Sequence, residues 1–229
     1  MADRTQPRGV FVTGTGTEVG KTVVAATIAR TLADGGRRVA VFKPAVTGLD
    51  ERVETDYELL RRASGSRQGD EEIAPYRYGP PASPHLAAAL AGEVIDPERL
   101  RRAARAAAEG AEAIVCEGVG GLLVPLTPTY LVRDFAADLG YPLVVVAGPG
   151  LGTINHTLLT VEAARAAGLE VAAIVLNPWH DAPGEIERSN RETIASLANA
   201  PVLTLPRIDL TNPESWPPLP LPTGRFPLT

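Results

Sequence analysis

Residues 14–22 read Gly14-Thr15-Gly16-Thr17-Glu18-Val19-Gly20-Lys21-Thr22, and what flanks them decides how the chain folds. Before them stands the apolar run Gly9–Thr13, of strand length; from Gly20 to Ala33 the sequence turns alanine-rich, with the length of a helix. A loop of small residues between strand and helix turns its backbone N–H groups inward, and the helix start adds positive potential. Such a junction holds phosphate. Lys21 can reach the β- and γ-phosphates, and the Thr22 hydroxyl can ligate Mg²⁺. The strict pattern G-x-x-x-x-G-K-[ST] places its first glycine at position 15, which is threonine here, with Gly14 one residue early.

Working outward, the same alternation repeats. Valine-rich runs at Val39–Lys43, Ala113–Glu117, Leu143–Ala147, Val171–Leu176 and Val202–Leu205 lack polar alternation, as strands covered on both faces do. Helical stretches separate them at Asp56–Ala63, Pro97–Glu109, Val132–Leu139, Thr153–Ala167 and Glu185–Ala198. β-then-α repetition predicts a three-layer α/β/α fold with a mostly parallel sheet, of the P-loop NTPase type. At 229 residues the chain fits one domain, 1–229. Residues 75–84, with Pro75, Pro80, Pro81 and Pro84, read as a loop excursion, and 206–229 as a proline-rich tail packed on the surface.

Composition narrows the function. A net charge of −5 gives no general attraction to nucleic acid or anionic membrane, so an anion site has to come from particular residues. One cysteine, Cys116, excludes an internal disulfide and a cysteine-rich metal site. The polar residues Met1 to Arg8 lack the apolar core of a signal peptide, and no run reaches membrane-spanning length, so a cytoplasmic location is expected. The arginines Arg99, Arg101, Arg102 and Arg105 read as a solvated helix face.

Sheets of this type bind ligands at the carboxyl ends of their strands. Thr13–Gly14, Lys43–Pro44, Glu117–Gly118 and Asn177–Pro178 should therefore converge. Glu117 ends a buried run before Gly118-Val119-Gly120-Gly121, a good place for a metal-binding carboxylate. Lys43 would add a second cation facing Lys21, as phosphoryl transfer requires. Thr47 offers a hydroxyl for substrate. Asp56, read by itself, is a helix cap. The second glycine-rich junction, Gly148 to His156, reads equally as an anion cradle or as ordinary capping by Thr153.

In this order the pieces resemble the dethiobiotin synthetase family: the loop Thr13 to Thr22, Lys43-Pro44, Thr47-Gly48, Asp56, Ser83-Pro84-His85, Glu117 to Gly121, and Leu151 to His156. The resemblance runs from about residue 9 to 210. It implies ATP- and Mg²⁺-dependent ring closure of 7,8-diaminononanoate with CO₂, giving dethiobiotin in biotin biosynthesis. Lys21 and Lys43 would be catalytic. Thr22, Asp56 and Glu117 would hold the metal, the resemblance overriding the cap reading of Asp56. ATP would contact Thr17, Glu18, Val19, Gly20, Lys21, Thr22 and Val23 in the loop, then Asp56, Glu117, Gly118, Val119 and Gly120. Its adenine would meet Asn177, Pro178, Pro206 and Arg207. The substrate would meet Thr47 and, at its carboxylate, Gly152, Thr153, Ile154 and Asn155, a segment that in this family comes from the other subunit of a homodimer. Val119 stands where the family has alanine. Trp179 and His180 extend the adenine loop.

Two other classes share the loop. A partitioning-type ATPase switch would carry an early loop lysine where this chain has Gly16, and an amphipathic basic membrane helix that the proline-rich tail cannot form. A glutamine-dependent amidoligase would need a nucleophilic cysteine, and Cys116 lies in a buried run.

Overall fold

Continuous apolar runs let the central strands bury both faces, and the computed structural model shows where each face goes. It describes residues 8–51 and 55–222. The polar start read as lacking a signal peptide, up to Pro7, and the end of the tail lie outside the described residues.

Among the described residues eight strands and eight α-helices follow in order: β1 Arg8–Gly14, α1 Lys21–Asp34, β2 Val39–Phe42, α2 Asp56–Ser64, α3 Asp70–Ile73, α4 Pro84–Leu90, α5 Pro97–Ala107, β3 Ala113–Glu117, β4 Pro125–Thr127, β5 Tyr130–Leu131, α6 Val132–Leu139, β6 Leu143–Ala147, α7 Thr153–Ala166, β7 Val171–Trp179, α8 Glu185–Ala198 and β8 Val202–Pro206. Six strands form one parallel sheet in the order β2-β3-β1-β6-β7-β8, and β4-β5 is a small antiparallel ribbon. From β1 the chain crosses outward to β2, returns through β3, then leaves to the other side through β6. The order therefore reverses beside β1, where an open parallel sheet leaves a crevice at its carboxyl edge.

Along β1, Val10 and Val12 pack with α1 and α2, while Phe11 faces α6 and packs against Phe135. β3 and β6 alternate likewise: Val115, Val144 and Val146 share the α1 side, Cys116, Leu143 and Val145 the α6 and α7 side. That makes two apolar cores with the sheet between them. At the edge strand β2, the Gln68 amide both accepts from Val41 N (2.9 Å) and donates to Val41 O (3.1 Å), occupying a backbone pair that would otherwise template another strand.

The expected elements appear, four with both ends unchanged and the rest with an end shifted by up to three residues. The excursion at 75–84 is more structured than its prolines suggest. Val46 N donates to Tyr76 O, Tyr78 N to Val46 O and Gly48 N to Pro80 O, so 46–48 and 76–80 form a short ladder. It is bracketed by α3 and α4, which sequence reading missed along with β4 and β5. After β8 the chain crosses back over α1 and α2. Trp216 and Leu219 are buried in the α1-side core, and Leu219 N donates to Thr31 Oγ1 (2.9 Å). No described helix is long and apolar enough to cross a membrane.

Candidate active site

The carboxyl ends of β1, β2 and β3 and the start of α1 enclose one cavity of about 750 Å³. Thr17, Glu18, Gly20, Lys21, Thr22 and Val23 line it from the loop and first turn of α1. Lys43 and Thr47 enter after β2, Asp56 from α2, and Glu117, Val119 and Gly120 after β3. Of the residues expected around the phosphates and metal, all but Val19 and Gly118 border this one cavity.

The loop has a local reason for each unusual residue. Gly20 is the N-cap of α1 with φ 84°, and a Cβ there would stand 2.0 Å from Asn177 Nδ2. Only glycine fits both constraints. Asn177 in turn donates to Val19 O (3.2 Å), fixing the end of β7 against the loop. Lys21 Nζ donates to Gly16 O (2.7 Å), and Glu18 holds a left-handed φ of 61°.

At the centre stands a charge cluster. Lys43 Nζ lies 2.5 Å from Glu117 Oε1 and 2.8 Å from Asp56 Oδ2, and Thr22 Oγ1 donates to the same Glu117 oxygen at 2.9 Å. Burial works against the Lys43 charge, but the Glu117 and Asp56 carboxylates outweigh it and hold the ammonium above its ordinary pKa. Lys43 is a cation at any physiological pH. Glu117 is fully buried; desolvation pushes its carboxyl upward, opposed by Lys43.

Asp56 corrects one reading. The cap of α2 is Thr55, whose hydroxyl accepts from Glu58 N while the Glu58 carboxylate accepts from Thr55 N (2.8 Å). With Thr55 closing the helix end, the Asp56 side chain is released to meet Lys43. A second correction concerns α7: its N-cap is Gly152, φ 88°, and Thr153 bonds sideways to Thr157 (3.4 Å) instead of capping.

The metal expectation passes a local test. Glu117 Oε2 is buried and accepts no hydrogen bond, an expensive state for a carboxylate oxygen unless a cation is its partner. Asp56, Glu117 and the Thr22 hydroxyl are oxygen donors of the kind Mg²⁺ takes, and would hold it together with phosphate oxygens and water. Among the described residues no cluster of three or more His, Cys, Asp or Glu is placed to hold a metal by itself.

The remaining expected residues do not line this cavity. Val19 O accepts from Asn177 Nδ2, and Gly118 N donates to Val12 O (2.9 Å). Asn177, Pro178, Pro206 and Arg207 sit together at the ends of β7 and β8, where Trp179 pairs with Pro206, beyond the residues lining the cavity. Gly152 to Asn155 open α7 and do not line the cavity either.

Sequence reading passed over several lining residues: Thr55, Leu59, Pro81, Ala82 and Leu210. Leu210 comes from the crossing tail, held where Arg62 Nη2 donates to its carbonyl (2.6 Å). Thr13, at the end of β1, is buried with its hydroxyl unpartnered. Sequence reading placed Thr13 among the converging strand ends and at the start of the loop motif, without giving it a role.

A family model described as AAA domain (AAA_26) matches residues 8–215. The ATP-dependent dethiobiotin synthetase BioD of Bacillus subtilis (strain 168) is 40% identical over 197 residues, 86% of this chain and 85% of that protein. The BioD of Anaeromyxobacter dehalogenans (strain 2CP-1) is 49% identical over 170 residues, 74% and 76% of the two chains. The chain belongs to the ATP-dependent dethiobiotin synthetase family. Solved structures of more distant proteins share the fold. The septum site-determining protein MinD of Pyrococcus horikoshii, complexed with Mg-ADP, superposes with TM-score 0.53 at 17% identity, over 87% of this chain and 81% of that one. The MinC:MinD complex of Aquifex aeolicus gives 0.55 at 14%, over 88% and 82%. At such identities these likenesses show the fold alone, and the dethiobiotin synthetases carry the function.

Proposed function

We propose that the chain makes dethiobiotin from 7,8-diaminononanoate, CO₂ and ATP, with Lys43 as the central catalytic group. The observation that carries this is the buried Lys43 ammonium held between Asp56 and Glu117, across the cavity from the phosphate loop. One substrate amine adds to CO₂ and loses a proton, giving a carbamate. A carbamate oxygen attacks the γ-phosphorus and ADP leaves. The second amine then attacks the carbonyl carbon of this mixed anhydride, and phosphate departs as the ring closes.

Negative charge sits on the carbamate and on the transferring phosphoryl oxygens throughout. Lys43 meets it from the β2 side and Lys21 from the loop, both nine-tenths or more buried, where a fixed cation counts for more than in water. Thr22, Asp56 and Glu117 would hold Mg²⁺, which when bound offsets triphosphate charge. Thr47 would hydrogen-bond the diamine end, and Asn177 with Pro178, Pro206 and Arg207 would receive the adenine.

The Gly152 to Asn155 segment would bind the substrate carboxylate of a second protomer. A homodimer is supported by exposed apolar surface: Leu151 in that junction is 96% exposed, and Leu123 and Leu159, 52% and 56% exposed, line a groove that runs beside the phosphate loop. The net charge of −5 supports neither a nucleic-acid nor a membrane partner, and a cytoplasmic location fits these small-molecule substrates.

The direct test is purified protein with diaminononanoate, bicarbonate, ATP and Mg²⁺, following dethiobiotin by mass. Product in step with ADP is expected. ATP hydrolysis without product, stimulated by DNA or lipid, would instead mark a switch ATPase.

A further inference from the structure

Asn190 is a polar residue on α8 that is only 8% exposed, and none of the proposed chemistry uses it. Its side-chain amide reaches forty residues back in sequence. Nδ2 donates to Pro149 O at 2.9 Å and to Gly150 O at 3.1 Å, two consecutive carbonyls of the loop before α7. In a planar trans peptide the C=O and the following N–H point in opposite directions. Drawing the carbonyls of residues 149 and 150 toward Asn190 therefore turns the N–H groups of Gly150 and Leu151 away from the protein. Thr153 N donates back to Gly150 O (3.2 Å), so in the first turn of α7 they join the N–H groups of Ile154 and Asn155, which a helix cannot satisfy internally.

Two features of the loop have no explanation within one protomer. Gly148 and Gly150 need no left-handed backbone, and a Cβ on either would meet nothing within 4 Å. Neither strain nor packing calls for glycine there. What bare glycines do provide is unobstructed approach to the outward-facing amides. Leu151 beside them is 96% exposed, on the same outer surface.

We infer that Asn190 is a positioning residue for substrate: by gripping the Pro149 and Gly150 carbonyls it aims the loop amides at the carboxylate of the diamine. This rests on the reading above that the start of α7 receives that carboxylate. Asn190 touches no reacting atom, so its effect belongs in recognition of one end of one substrate.

The test compares wild type with Asn190→Ala on two diamines, diaminononanoate and its carboxylate-free counterpart 7,8-diaminononane. Wild type should prefer the carboxylate-bearing diamine in kcat/KM. In Asn190→Ala that kcat/KM should fall about tenfold or more, the size of one or two lost hydrogen bonds to a charged group. The KM for ATP and the kcat/KM for the carboxylate-free diamine should stay within about twofold, an experimental margin well under the tenfold effect sought. Asn190→Ser, which keeps a short donor, should recover part of the preference. An equal loss on both diamines would make Asn190 a structural tie only, and an unchanged preference would remove it from recognition; either overturns the inference. A wild type that does not discriminate the two diamines would instead overturn the carboxylate reading of the α7 start, and the inference with it.

Discussion

Glu117 and Lys43 are each costly to bury alone, and their geometry explains why both are kept. Lys43 neutralises two carboxylates at once, and Glu117 keeps one oxygen, Oε2, uncommitted. Replacing Lys43 by Met keeps the stem and removes the charge. Turnover should fall by about 10²–10³-fold, as when one electrostatic contact to a transition state is lost. Stability should fall too, by about 3 kcal/mol near neutral pH, because a buried carboxylate is left unpaired. The pH dependence has a definite sign. Burial already raises Glu117 above its reference value of 4.5, and without Lys43 it rises further. The folded variant then binds a proton that the unfolded chain has lost. Its stability is therefore retained below about 4.5 and declines as pH rises through the raised folded value. Urea denaturation at pH 5 and pH 8 should show a wider gap from wild type at pH 8; a constant gap would mean Glu117 does not hold the proton.

Elements place these residues, and the capping of α2 shows how. Thr55 and Glu58 satisfy the open helix end between them, so Asp56 is free to project into the cavity. Thr55→Ala should cost about 1 kcal/mol in urea denaturation and also lower activity, while Thr55→Ser should preserve both. If Thr55→Ala lost stability but no activity, the cap would not be what positions Asp56. Gly20→Ala should be worse, since the left-handed backbone strain alone costs about 1–2 kcal/mol and the new methyl overlaps Asn177. Asn177→Ala in the same chain should relieve the overlap but not the strain, recovering only part of the loss. The long strands and helices were legible because their periodicity persists over many residues. Thr55 was not: it precedes an aspartate that caps equally well by type, and only the reciprocal bond to Glu58 separates them. The β4-β5 ribbon, α3 and α4 are too short to show a persistent periodicity in sequence.

At the scale of the whole molecule, the cavity draws on strands, a helix start and a tail more than 180 residues apart in sequence. The phosphate loop, Lys43 and Glu117 were legible because a parallel sheet sends every strand end to one edge. Leu210 was not, since the path of the tail after β8 depends on where Trp216 and Leu219 find apolar cover on α1. Trp216 also donates its indole N–H to Asp209 O (2.7 Å), fastening the turn that carries Leu210. Trp216→Ala should destabilise the chain by about 3 kcal/mol and weaken nucleotide binding, while Trp216→Phe should keep most of the packing. Calorimetry with an ATP analogue would check both.

The most direct measurement is a crystal structure with Mg²⁺ and a non-hydrolysable ATP analogue. Expected is a γ-phosphate lying between Lys21 and Lys43, with the ion touching Thr22 and Glu117. A triphosphate bound with Lys43 and Glu117 well beyond its first two shells of neighbours would contradict the assignment of both residues to catalysis.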